Sequence, residues 1–254
     1  MRTRLALLAS VVSVLLLAPQ PRAAITFFGE SAATPTDDSS NTTTSITITP
    51  PASMTAGDLA IVLLQRRGSA TFSVGVAGGQ RWAPLTDNTG TTNVTLGGFW
   101  ARFDGNWQAN PQFDFSAGTL TSAQMFVFRP NSSASMWAPL GAQSNGNAAA
   151  AATITITGIT LPSSGNNVAF AVWATADDNT WGNLAGTGWS KTGLSAQIRN
   201  NGSGSTDMSL TAAYKISTGA TGTVSQDQTA LGNDACATLI VGFSEVRRRN
   251  SAGH

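Results

Sequence analysis

The chain has 254 residues, enough for one large β unit or two small domains, and only 11% are charged against roughly 25% in an average soluble protein. Gly, Ala, Ser, Thr and Asn fill the gap, which favours short strands joined by small-residue turns and argues against long amphipathic helices rich in Glu and Lys. The net charge is +1 overall and −2 once Arg2, Arg4 and Arg22 of the leading segment are set aside (11 basic against 13 acidic), a balance that argues against a nucleic-acid binder, which needs a basic face.

The opening MRTRLALLASVVSVLLLAPQPRAA places Arg2 and Arg4 before an apolar run from Leu5 to Ala18. This has the shape of a secretory signal peptide and is short for a bilayer span. A cut after Ala24 or Ala23 would put Arg22 or Pro21 where a small residue is wanted. Residues 1–24 are therefore read either as a signal peptide or as a dispensable N-terminal extension arising from a misplaced start, with the folded region over 25–246.

Along that region one order of features occurs twice. SITITPP at 45–51 is echoed by TITITGI at 153–159, both alternating as strands with one wet face do. GDLAIVLL at 57–64 is followed by NNVAFAVW at 166–173, continuous apolar runs expected for strands buried on both faces. QRWAPLT with Trp82 answers TGWSKTG with Trp189, and LGGFWARFDG at 96–105 answers LTAAYKISTG at 210–219 at an offset of 114 (214 − 100). The same offset lays AQMFVF at 123–128 on ATLIVG at 237–242. The expectation is an all-β, antiparallel, jelly-roll-like β-sandwich built by internal duplication, with copy one over about 40–130 and copy two over about 148–244. The stretch 131–147 reads as a short, partly apolar connection, and 247–254, with Arg247, Arg248 and Arg249, as a basic disordered tail.

Alternating strand, Pro50-Pro51, Gly57-Asp58-Leu59 with its apolar run, Trp82 with Leu85, the aromatic strand with Trp100 or Tyr214, and Gly219 with Gly222 make one pattern. It resembles a duplicated β-sandwich module that recurs in phage structural and tail-associated proteins and in secreted bacterial surface proteins. AITFFGES also looks like the first strand of the phage versions. The likeness spans most of 25–246; it implies a fold and supplies no catalytic residues.

Period two puts Tyr214 on the core face of its strand and, by the offset, Trp100 with it. Phe99 and Phe103 then point the other way, where copy two has Ala213 and Ser217, and Trp107 falls on Thr221. Phe99, Phe103 and Trp107, unmatched by the repeat, are the expected accessible patch, set against the alternative that another segment covers them. Trp137 and Trp181, also unmatched, complete the set of candidate binding or interface residues. Trp82 and Trp189 are read as rings that seal the sandwich edge.

Chemistry is sparse. His254, the last residue, is the only histidine, so no triad, Cys–His pair or zinc site has its base or ligand within the body of the chain. The two glutamates, Glu30 and Glu245, lie at opposite ends of it, and no phosphate-cradling glycine motif opens a helix. No cofactor is called for. Asp177 and Asp178 with Asn179, and Asp37 with Asp38, are weak Ca²⁺ candidates that serve equally as turn formers. Cys236, in ACATLIVGF, reads as a buried thiol. The function expected is therefore non-enzymatic: a virion or extracellular structural module of phage decoration or tail-associated type, assembling through its sandwich faces with like subunits or other virion proteins. The alternative is a secreted surface-binding module that recognises cell-surface glycan through loop aromatics. Neither needs nucleic acid or a membrane span in the mature chain.

Overall fold

A computed structural model of the chain describes residues 24–35, 42–86, 88–89, 94–116, 120–195, 197–200, 207–229 and 234–247. The leading segment up to residue 23, Asp37 and Asp38, and the tail from residue 248 lie outside the described residues. Strands make up the regular structure; the described residues contain no helix, and so none long and apolar enough to cross a membrane.

In copy one a large sheet has the order β1 (Thr26–Glu30), β9 (Thr121–Arg129), β3 (Leu59–Arg67), β7 (Val94–Arg102) and β5 (Ala83–Pro84), with β6 (Asn88–Thr89) also on β7. A small sheet of β2 (Ser45–Thr47), β8 (Gln112–Phe115) and β4 (Phe72–Val76) faces it. In copy two the large sheet runs β10 (Ser135–Ala148), β17 (Cys236–Arg247), β12 (Asn166–Thr175), β15 (Met208–Ile216) and β14 (Ile198–Asn200). Its small sheet is β11 (Thr153–Ile156), β16 (Val224–Thr229) and β13 (Thr180–Ala185). Every pairing is antiparallel. With β5 and β6 counted as one fifth strand, both copies have the order 1-8-3-6-5 facing 2-7-4. This is jelly-roll wiring with the fifth strand moved to the edge of the large sheet. The fold is an all-β duplicated sandwich.

Each copy begins one strand earlier than the sequence pattern suggests. Most of the stretch 131–147 is β10, the counterpart of β1. The last strand also shifts. Leu59 lies opposite Phe128 and its counterpart Val168 opposite Phe243, so β9 maps onto β17 at an offset of 115 (243 − 128), not 114. A one-residue slip exchanges the two faces of a strand. The corrected register puts Phe126 and Phe128 on the same face as Val241 and Phe243. Trp100 and Tyr214 hold equivalent places, opposite Ile61 on β3 and Phe170 on β12.

The two large sheets pack on each other. Leu59, Ile61, Leu63, Leu96 and Phe128 from copy one meet Val168, Phe170, Val172, Leu239 and Phe243 from copy two in one shared core. The alternate residues of the same strands, Ala60, Val62 and Leu64 or Ala169, Ala171 and Trp173, face the small sheet of their own copy. The molecule is thus a four-layer stack, small–large–large–small, and both central sheets are covered on both faces. This explains why their strands read as unbroken apolar runs. Full burial of one such Leu, Val, Ile or Phe side chain contributes roughly 1.5–3 kcal/mol.

The contact between copies is reciprocal. Trp100 meets Phe243 edge-on at 5.2 Å, and its counterpart Tyr214 meets Phe128, counterpart of Phe243, at 5.5 Å. Such paired contacts are the mark of a two-fold relation. At one end of the shared core Gln65, fully buried, donates to the Thr175 and Ser209 carbonyls (3.1 and 2.9 Å), and Asn200 donates to the Thr121 carbonyl (2.8 Å).

Candidate functional site

Of the five aromatic residues expected at a surface, four are buried and the fifth, Trp107, is half-buried. Phe99 and Phe103 are only 7% and 3% exposed, and Trp107 is half-buried against the same cluster. Phe99 stacks on Phe113 of β8 (5.5 Å), and Trp107 lies between Phe103 (4.9 Å) and Trp82 (6.4 Å). Phe103 and Trp107 lie beyond the end of β7, where Trp107 folds back on Phe103, and Phe99 and Trp107 join the cluster under the small sheet of copy one. An accessible patch of Phe99, Phe103 and Trp107 is therefore corrected: the expectation assumed that β7 had one wet face, and it has none. Copy two fills the corresponding space from other positions, with Trp173, Trp181 and Trp189, which is how Ala213 can stand where copy one has Phe99.

Trp137 and Trp181 are likewise buried rather than exposed on loops. Trp137, on β10, enters the shared core and donates its indole N–H to the Gly57 carbonyl at 2.8 Å. Trp181, on β13, donates to Ser209 Oγ at 3.1 Å. Asp177 and Asp178 meet a third carboxylate, Asp207, with ligand oxygens within 4.8 Å of one another. Burial, followed by the influence of neighbouring aspartates, raises both Asp178 and Asp207 above the ordinary carboxylate range. Arg199 and Arg67 oppose this rise and supply counter-charge, so no metal is assigned. Cys236 is a buried free thiol whose pKa burial and then Asp234 push up to about 12.

The surface feature with ligand-like chemistry lies at the other end of the shared core. A cavity of about 300 Å³ is lined by Gly79, Gln80 and Arg81 from the turn after β4, Trp100 and Arg102 from β7, Asp104 just beyond it, and Met136 and Trp137 from β10. It is therefore built from both copies. Gln80, buried, fixes its wall: its amide donates to Asp104 Oδ1 (2.9 Å) and the Asn106 carbonyl (2.8 Å) and accepts from the Asp104 N–H (3.0 Å). The Asn106 N–H also donates to Asp104 Oδ1, and this bond, followed by the Gln80 contact, holds the Asp104 carboxyl below its ordinary range. Asp104 is thus an ionised acceptor at neutral pH. Arg102 donates Nε to the Ser135 carbonyl (2.7 Å) and a terminal nitrogen to that of Ser133 (2.6 Å), which tethers the start of copy two. Arg81 is exposed. Met136, 36% exposed, sits beside its cross-strand partner Val246, 41% exposed.

The repeat supplies a comparison within the chain. The related end of the shared core is lined by Ile25, Thr26, Phe27, Phe28, Gly29, Thr192, Gly193, Tyr214 and Ile216, with no charged side chain. There Phe27 stacks on Tyr214 at 5.4 Å. Phe27 lies opposite Phe128, whereas Pro139 lies opposite Phe243, so Pro139 is the counterpart of Phe27. Trp100 consequently has no ring stacked on it; its ring contact among the described residues is the edge-on one with Phe243. Sequence reading assigned Trp100 to core and passed over Arg81 and Arg102. The available signal was Arg102 standing where copy two has Ile216, a charge at a position the repeat makes apolar.

Compared with protein families, with curated proteins and with solved structures, the chain matches none, so fold and site rest on its own geometry.

Proposed function

We propose that this chain is a non-enzymatic structural module of virion or extracellular type, comparable to a phage decoration or tail-associated subunit, that associates with like subunits or other structural proteins through its sandwich surface. The supporting observation is the reciprocal packing of the two large sheets. The module already uses a sandwich face as an assembly surface, with the isologous contact of a dimer held inside one chain. Sedimentation velocity over a wide concentration range, followed by electron microscopy, tests this reading. Discrete oligomers or ordered arrays are expected; a chain that stays monomeric throughout counts against it.

A second reading, a secreted module that recognises surface glycan, is favoured by one observation: the partly exposed Trp100 in a cleft with two guanidinium groups and an ionised carboxylate. The loop aromatics first assigned to that role do not carry it.

A further inference from the structure

We propose that the cleft over Trp100 takes a sugar unit bearing a carboxylate, as part of an acidic polysaccharide. This deepens the glycan reading and rests on it. Three features of the cleft specify the ligand. Trp100 lines the cleft with no ring stacked on it among the described residues, because Pro139 stands where the related site has Phe27 stacked on Tyr214. An indole face suits the apolar C–H face of a sugar ring. Arg81 is exposed and makes no hydrogen bond or ion pair within the described residues, and Arg102 spends two of its donors on the Ser133 and Ser135 carbonyls. Guanidinium groups recognise carboxylates in a bidentate fashion. Asp104 remains ionised and accepts from hydroxyl groups, which a sugar offers on neighbouring carbons.

The charges discriminate among anions. Two guanidiniums and one carboxylate leave the cleft with one net positive charge, which suits a monoanion with donor hydroxyls. A phosphate dianion would meet stronger repulsion from Asp104 than a monoanion does, and offers it a single hydroxyl hydrogen where a sugar ring offers several. The cavity, at about 300 Å³, lies at the lower end of the range for small-ligand sites, the size of a ring rather than a large cofactor.

The test titrates the full chain with short oligogalacturonate and oligoglucuronate, with their methyl esters, with neutral oligoglucose and with inorganic phosphate, read by calorimetry and indole fluorescence. Arg81→Gln removes an exposed charge without touching the fold, and Pro139→Phe places a ring where copy one carries Phe27. Saturable binding of the uronates is expected, weakened at least about tenfold, or about 1.4 kcal/mol, by Arg81→Gln or by esterification. Pro139→Phe is expected to abolish it at unchanged melting temperature; if that variant misfolds, Arg81→Gln decides alone. Neutral sugar bound as tightly as uronate, with Arg81→Gln silent, overturns the acidic ligand and leaves the glycan reading standing. Phosphate bound more tightly than uronate, or uronate binding that survives in a folded Pro139→Phe, overturns the proposal. Absence of saturable binding by any saccharide overturns both the proposal and the glycan reading.

Discussion

Asp58 and Arg129 show how a single position is solved differently in the two copies. Asp58, fully buried, accepts from the Thr55 N–H at 2.8 Å and pairs with Arg129 at 3.0 Å. Arg129 also lies 3.8 Å over the Phe28 ring and donates to the Ser53 carbonyl. At the equivalent place in copy two, Ser244 donates to Asn167 Oδ1 at 2.6 Å, a neutral pair. The ion pair is unequal, because the Arg129 side chain is one-third exposed. Arg129→Ala strands a buried carboxylate and should cost about 3 kcal/mol, the lower end for a broken buried pair, whereas Asp58→Asn should cost less than half of that because Arg129 can turn to water. Urea unfolding at neutral pH checks the order of the two. Lys191 offers a pH test. Burial holds its pKa down to about 8, and its ammonium donates to Thr211 Oγ1. The native lysine gives up its proton near 8 and the unfolded one near 10.5, so the native state binds fewer protons between those values. Stability should therefore rise with pH across that window, the unfavourable contribution being fully present below it. Lys191→Met should remove that rise, seen as the difference between the two melting-temperature profiles at constant ionic strength.

At the scale of elements, β3 and β12 were legible because a strand covered on both faces has to be apolar at every position. The turn before β3 explains its GDL motif: Gly57 has φ +100°, and a Cβ there would lie 2.7 Å from the Ser133 carbonyl oxygen. The final strands were misread by one residue because β9 and β17 are apolar on both faces, so composition alone does not say which residue faces which way. Only pairing with β3 and β12 settles it. The same limit hid the fate of Phe99, whose alternation was right and whose cover, Phe113 and the rest of the small sheet, is set by tertiary packing. The repeat can also mislead at single positions. Ala212 stands where copy one has Gly98, which suggests that Gly98→Ala is harmless. A Cβ on Gly98 would instead lie 2.0 Å from the Val62 carbonyl oxygen, a contact that only backbone movement relieves. Gly98→Ala is expected to destabilise the chain by about 2–4 kcal/mol, within the range of overpacking and strain, while Ala212→Gly costs about 1 kcal/mol. Chemical denaturation of the two variants side by side checks this.

For the whole molecule the shared core decides cooperativity. Neither jelly roll is complete without the other: removing one would expose the large-sheet face that carries Leu59, Ile61, Leu63, Phe126 and Phe128, or its counterpart. Calorimetry of the full chain should show one transition whose calorimetric and van't Hoff enthalpies agree. Two resolved transitions would mean that the copies are energetically separate. The sequence by itself determined the all-β class, the duplication and the correspondence of Trp100 with Tyr214, because strand periodicity and the order of a repeat are local properties of a chain. Tertiary structure alone decided that the copies stack large sheet to large sheet. That stacking carried Trp137 into the shared core, while packing of each small sheet on its own large sheet took in Phe99 and Trp181 and half-buried Trp107. It also brought Arg81, Arg102 and Asp104 of copy one beside Met136 and Trp137 of copy two. Such a cleft arises from the packing of two layers, and no stretch of either copy contains it.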